Sequence, residues 1–192
     1  MKKLISDEYL DQQLKLHANP NYGSWSIKKA EEVAYLAGWL DVNKILDYGA
    51  GKQKLKKGLE EHGFEGWYGA YDPAVLQIRN MPTGTYDFLV CIDVLEHIEP
   101  DLLDNVLDHM EMQTNRHVFI TVATSPAKKV LADGRNAHLI QKPYEWWKPH
   151  LEKRWHIQKM TEENRKSYKG FKVWCTHKTI PPGFIPIPNF KS

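Results

Sequence analysis

Cysteine is scarce in this chain, and long apolar runs are missing. Only Cys91 and Cys175 occur among 192 residues, which argues against a disulfide framework and against a cysteine zinc site. No uninterrupted apolar stretch approaches the ~20 residues that a membrane span requires. The basic start, Met1-Lys2-Lys3, turns acidic at Asp7 and Glu8 before any apolar signal core develops. A cytoplasmic protein that does not engage a membrane is expected. Internal repeats and low-complexity blocks are absent too. What remains is 42% hydrophobic and 11% aromatic, the composition of a soluble globular protein with room for one α/β domain. The division reads as a helical cap over residues 1–42, a core over 43–178 and an extended, proline-rich tail over 179–192.

Charge is balanced overall but not along the chain. The net +2 divides into −7 over residues 1–127, with 12 Lys and Arg against 19 Asp and Glu, and +9 over 128–192, with 14 against 5. Such a segment either faces an anion, whether a phosphorylated small molecule, a nucleic acid or an acidic partner, or is a solvated basic face.

One stretch organises the rest. Lys44-Ile45-Leu46-Asp47 is an apolar run ending in a carboxylate, Tyr48-Gly49-Ala50-Gly51 turns the chain, and Leu55 and Leu59 recur four apart. The order is strand, tight loop, helix. The loop lacks the Gly-Lys-Ser/Thr ending of a phosphate cradle, and Lys52, Gln53 and Lys54 stand where a third glycine would complete the dinucleotide fingerprint. Glycine there allows positive φ and close backbone approach to a ligand.

Downstream, residues 65–71 read as a second strand ending in Asp72, 25 residues after Asp47, near the ~20 that separate loop and ribose-binding acid in nucleotide-binding crossovers. Residues 75–85 leave little room for another strand. Residues 86–93 form an almost unbroken apolar run, as a parallel strand covered on both faces requires, and deliver Asp93-Val94-Leu95-Glu96-His97. Helices are expected over residues 6–17 (Leu10 and Leu14 on one face), 26–40, 100–112 and 142–154, the last bent near Pro149. A strand is expected at 117–122. An antiparallel hairpin pairs 155–160 with 171–177 across a charged loop. The tail, with Phe184, Ile185, Ile187 and Phe190, is expected to pack in extended form.

The glycine loop with its preceding acid, Asp72 and the Asp93 to His97 motif together resemble the class I S-adenosylmethionine-dependent methyltransferases, firmly over residues 44–125. The resemblance implies a doubly wound, mainly parallel seven-stranded sheet with an antiparallel last strand and helices on both faces. It implies S-adenosylmethionine as cofactor, with Gly49, Ala50 and Gly51 offering backbone to the methionine portion. Asp47 would lie near its amino group, Asp72 on the ribose and Asp93 near the methionyl end. Asn80 or Met81 would stand beside the adenine. The implied activity is methyl transfer; the acceptor expected is a small polar molecule, such as a sugar or nucleotide, methylated on oxygen or nitrogen, and anionic where the basic segment faces it.

For the acceptor, His97 and His138 are candidate bases or structural histidines. Arg135 is either a grip on an acceptor anion or a loop-bracing ion pair. Glu96 reads as turned inward. Glu96 and His97 alone, being adjacent, do not suffice for a metal, so none is expected. Trp146, Trp147 and Tyr144 read more readily as core than as a stacking platform. Two other functions stay open: a nucleic-acid methyltransferase, which the basic segment favours and the lack of Asn/Asp-Pro-Pro-Tyr/Phe after residue 92 opposes, and a non-catalytic cofactor-binding or partner subunit. No oligomeric state follows from the sequence.

Overall fold

The computed structural model describes residues 2–19, 22–23, 25–165 and 168–181. The expected packing of the tail residues 182–192 lies outside them. The elements that matter run α1 (Asp7–His17), α2 (Ala30–Trp39), β1 (Lys44–Tyr48), α3 (Lys54–Glu61), β2 (Trp67–Tyr71), β3 (Tyr86–Ile92), α4 (Leu103–Glu111), β4 (Thr114–Ala123), α5 (Tyr144–Glu152), β5 (Trp155–Arg165) and β6 (Tyr168–His177). They build one sheet in the order β2-β1-β3-β4-β6-β5. The first four strands are parallel, and β6 and β5 are each antiparallel to their neighbours.

Period-2 alternation along the strands divides the core between the two faces. Leu46, Leu89, Cys91, Val118 and Ile120 pack with Leu103, Leu107 and Met110 of α4 and with Trp147 and Leu151 of α5. Ile45, Phe88, Val90 and Phe119 point the other way, onto Val33, Leu36 and Ala37 of α2 and Leu55 and Leu59 of α3. Both cysteines are fully buried, and burial pushes both thiols up from their ordinary range. The chain leaves β1 toward β2 and then returns to lay β3 on the opposite side of β1. That reversal opens a crevice at the strands' carboxyl ends, the usual ligand place in open α/β sheets.

Three expectations need correction. The sheet has six strands among the described residues, not seven. Between Tyr71 and Tyr86 the chain makes only a 3₁₀ turn, Leu76–Ile78, tied back by the Asp72 N–H donating to the Ile78 carbonyl at 3.0 Å. A further parallel strand needs its own crossover of a dozen or more residues, and the segment is too short for both. The hairpin is longer than expected, because residues 161–165 continue β5. Their charges mimic a loop, but β5 is the sheet's last strand, and charged side chains are what an exposed edge carries.

In α1 the Ser6 hydroxyl caps the helix, accepting from the Tyr9 N–H at 3.1 Å. Its buried residues are Tyr9 and Gln13, while Leu14 is 47% exposed. The helix therefore turns a different face inward from the one its leucines suggest. It packs on the site rather than on the sheet: Tyr9 joins Leu131 and Ala137 of the loop after β4 in a small third cluster.

Candidate functional site

A cavity of about 480 Å³ lies over the carboxyl ends of β1, β2 and β3, within the range that holds a drug-sized ligand. The loop after β1 forms part of its wall. Gly49 has φ +78°, and a Cβ there would stand 2.4 Å from Cγ2 of Val94. Gly51 has φ +49°, and its Cβ would stand 2.9 Å from the Gly23 carbonyl oxygen. Both conformation and space thus demand glycine. The N–H groups of this loop are already used: those of Gly49 and Ala50 donate to the Tyr71 carbonyl at 2.7 and 3.1 Å, and that of Gly51 donates to Asp72 Oδ2 at 3.0 Å. What the loop offers a ligand is close approach, not free donors.

The three acids divide. Asp72 lies on the cavity wall, its Oδ1 accepting from the Ala74 N–H at 2.9 Å, so each oxygen keeps a second lone pair for a ligand. Asp93 also lies on the wall. It takes φ +51°, a conformation a non-glycine residue enters at some cost. The Thr121 and Tyr168 hydroxyls hold it there, donating to Asp93 Oδ1 at 2.8 and 3.0 Å. Burial pushes the Asp93 carboxyl up from its ordinary range, and those two hydroxyls oppose the shift.

Asp47 is off the wall. It is buried, and Tyr68 Oη donates to its Oδ2 at 2.5 Å, so it braces the strand under the loop. Burial pushes its carboxyl up to about 7, the Tyr68 hydroxyl opposing. In the unfolded chain the carboxyl titrates near 3.9, so between about pH 4 and 7 the folded state holds a proton that the unfolded state has released. Stability then falls as pH rises through that window, by at most about 1.4 kcal/mol per pH unit. Asp47→Asn keeps an acceptor for Tyr68 and is expected to remove this slope. Urea unfolding at pH 4.5, 5.5 and 6.5 measures it, and parallel slopes in the two proteins would mean that Asp47 is ionised throughout.

The same cavity is lined by Glu96, His97 and His138. The first two sit in a 3₁₀ turn, Leu95–His97, just beyond β3. His138 comes from the loop after β4, which is held against that turn by the Ile140 N–H donating to the Glu96 carbonyl at 3.0 Å. His97 Nδ1 lies 2.7 Å from the Ala137 carbonyl, and His138 Nδ1 lies 2.6 Å from the Ser125 carbonyl. A carbonyl only accepts, so each Nδ1 carries the proton and each Nε2 keeps a lone pair in the neutral ring. The rings meet edge to face with centroids 4.8 Å apart. Burial, reinforced by His138, pushes His97 down to about 4. Glu96 is fully buried, as its inward reading required. Its Oε1 accepts from the Ala123 N–H at 3.0 Å, and burial, with Asp93 nearby, pushes its carboxyl well up.

Other sequence candidates are placed elsewhere. Arg135 is absent from the wall and half exposed, its guanidinium paired with Asp133 at 2.7 Å. Neither Asn80 nor Met81 lines the cavity, and Met81 packs against the core. Trp147 is buried core, with Trp146 and Tyr144 packed against it.

Several wall residues come from the chain ahead of β1. Tyr9, Gln13 and His17 of α1 close one side of the cavity. Tyr9 Oη donates to the His97 carbonyl at 2.7 Å, and Lys52 Nζ donates to the His17 carbonyl at 2.5 Å, latching the end of α1 to the glycine loop. Tyr22 adds its ring, with Lys129 Nζ 4.4 Å from the centroid. The spacing of Tyr9, Gln13 and His17, one helical turn apart, was available as a stripe, but polar side chains do not announce burial.

Residues 24–170 match the family model described as a methyltransferase domain. No curated protein matches the chain. Among solved structures, the chain is similar to 1,6-didemethyltoxoflavin-N1-methyltransferase of Burkholderia thailandensis, with a TM-score of 0.63 at 13% identity over 92% of this chain and 93% of that one. It is also similar to magnesium protoporphyrin IX methyltransferase of Synechocystis, with a TM-score of 0.54 at 15% identity over 90% and 85%. A third likeness is to a mitomycin 7-O-methyltransferase, with a TM-score of 0.61 at 13% identity over 86% and 60%. At such identities the likeness concerns the fold.

Proposed function

The chain belongs to the methyltransferase domain family, and from that premise we propose that it moves a methyl group from S-adenosylmethionine to oxygen or nitrogen of a small polar, anionic acceptor. The observation that carries this is the meeting of Asp72 and Asp93, from the ends of two different strands, with the glycine loop on one cavity. Carboxylates suit a ligand that carries ammonium and sulfonium charges, and Asp72 has lone pairs for the two ribose hydroxyls.

Methyl transfer from a sulfonium is an in-line displacement, so the protein chiefly has to align nucleophile, methyl carbon and sulfur away from water. Positioning of this kind carries much of a rate enhancement. His97 and His138 line the same cavity as Asp93, and with each Nδ1 engaged by a backbone carbonyl their Nε2 atoms keep lone pairs for an acceptor hydroxyl or amine. Lys128 and Lys129 on the same wall favour an acceptor of negative charge, and they belong to the basic end of the chain. The solved structures of similar fold include enzymes named for a porphyrin, a toxoflavin precursor and a mitomycin, which supports a small-molecule acceptor over a nucleic acid.

Calorimetric titration with S-adenosylhomocysteine should give one site per chain with micromolar or tighter affinity. Incubation with methyl-labelled S-adenosylmethionine and fractionated small-molecule extract should then label a low-mass anionic product. Folded protein that shows no heat with S-adenosylhomocysteine would sink the proposal, and label entering oligonucleotide instead would shift the acceptor class.

A further inference from the structure

On the cavity wall three electron-pair donors come together. The ligand atoms that Glu96, His97 and His138 can offer all lie within 4.8 Å of one another. Each imidazole spends its Nδ1–H on a backbone carbonyl, which fixes the ring and leaves Nε2 as the donor, the arrangement by which metal-binding histidines are usually oriented. Glu96 supplies the independent sign. Its side chain is completely buried and Oε1 is satisfied by Ala123, but Oε2 has no hydrogen-bond partner among the described residues. A buried carboxylate oxygen left so is costly unless something positive meets it.

We infer that Glu96, His97 and His138 form a site for one divalent first-row transition ion, such as Mn²⁺, Fe²⁺, Co²⁺ or Zn²⁺, with its remaining positions open to the cavity. Two imidazoles and one carboxylate on one side of the ion suit these metals, whereas Mg²⁺ and Ca²⁺ prefer oxygen ligands. Bonds of about 2.1 Å place ligand atoms no more than about 4.2 Å apart, a closure that rotation of the Glu96 carboxylate and small ring shifts provide. The adjacency of Glu96 and His97 hides the set in the sequence, because its third member stands in a loop beyond the next strand.

The binding site stands on its own geometry, while its use rests on the methyl-transfer reading. A divalent ion there holds an acceptor oxygen and eases the loss of its proton near neutral pH. In the transfer, that proton leaves to solvent, the sulfur–methyl bond breaks with its electron pair staying on sulfur, and the oxygen–methyl bond forms.

The test is titration of untagged protein with Co²⁺, read by visible absorption and by calorimetry, beside the same titration of His138→Ala and Glu96→Gln. One Co²⁺ per chain is expected, with visible d–d bands of the kind given by nitrogen- and oxygen-ligated cobalt. Each variant should bind at least about tenfold more weakly. Equal Co²⁺ affinity in wild type and both variants, or competition by equimolar Mg²⁺, would overturn the site. S-adenosylhomocysteine is titrated into the same samples: Co²⁺ bound without it removes the methyl-transfer reading alone, and S-adenosylhomocysteine bound by a wild type that ignores Co²⁺ removes the metal site alone.

Discussion

Gly49→Ala is expected to lose S-adenosylhomocysteine binding altogether and to lower the melting temperature by roughly 4–16 °C. Two separate costs combine. An alanine held at φ +78° carries backbone strain of about 1 kcal/mol. Its methyl would then stand 2.4 and 2.7 Å from the two γ-carbons of Val94, and relieving such overlap costs about 1–3 kcal/mol more. Val94 cannot retreat without disturbing its neighbour Asp93, so any relief is taken from the cavity. The double variant Gly49→Ala/Val94→Ala separates the two costs. It should regain the part of the stability due to the clash and keep the part due to φ. Single-variant binding and melting equal to wild type would mean that the loop does not form the cavity wall.

Asp72→Asn is the second large effect, about 100-fold weaker binding of S-adenosylhomocysteine with the fold retained. In the wild type one carboxylate oxygen accepts from Gly51 N–H and the other from Ala74 N–H. An amide turns one of those oxygens into an N–H₂ that confronts a backbone N–H. The same exchange removes the charge that strengthens bonds to two ribose hydroxyls, worth about 1.5 kcal/mol each. About 3 kcal/mol is a factor near 100. An analogue of S-adenosylhomocysteine lacking both ribose hydroxyls serves as control: it should bind wild type and variant with similar affinity. If the variant binds the full ligand as tightly as wild type, Asp72 is only the clasp of the glycine loop.

What could be read from the sequence was what local spacing determines. The loop at Gly49 and Gly51, Asp72 at the end of β2 and the motif after β3 each sit within a few residues of the strand that presents them, so their places at one sheet edge followed from pattern. Long-range pairings were hidden. Nothing near Asp47 announces that Tyr68 on the neighbouring strand will take its carboxylate, and nothing near Asp93 announces that Tyr168 of β6 will hold it. The six-stranded sheet was half legible: the shortage of chain between Tyr71 and Tyr86 was visible, and the family pattern argued for a strand regardless. The buried face of α1 was misjudged because Leu10 and Leu14 suggest an apolar stripe, whereas the helix packs on a polar site through Tyr9 and Gln13.

That last feature bears on how far the catalytic unit extends. Similarity to the family begins at residue 24, but Tyr9, Gln13 and His17 precede it and close one side of the cavity, and Lys52 grips the carbonyl at the end of their helix. A fragment begun at residue 24 would keep every strand and still be an open trough, with Leu131 and Ala137 stripped of the ring that covers them. Helix α1 is therefore part of the vessel, and truncation studies should keep it.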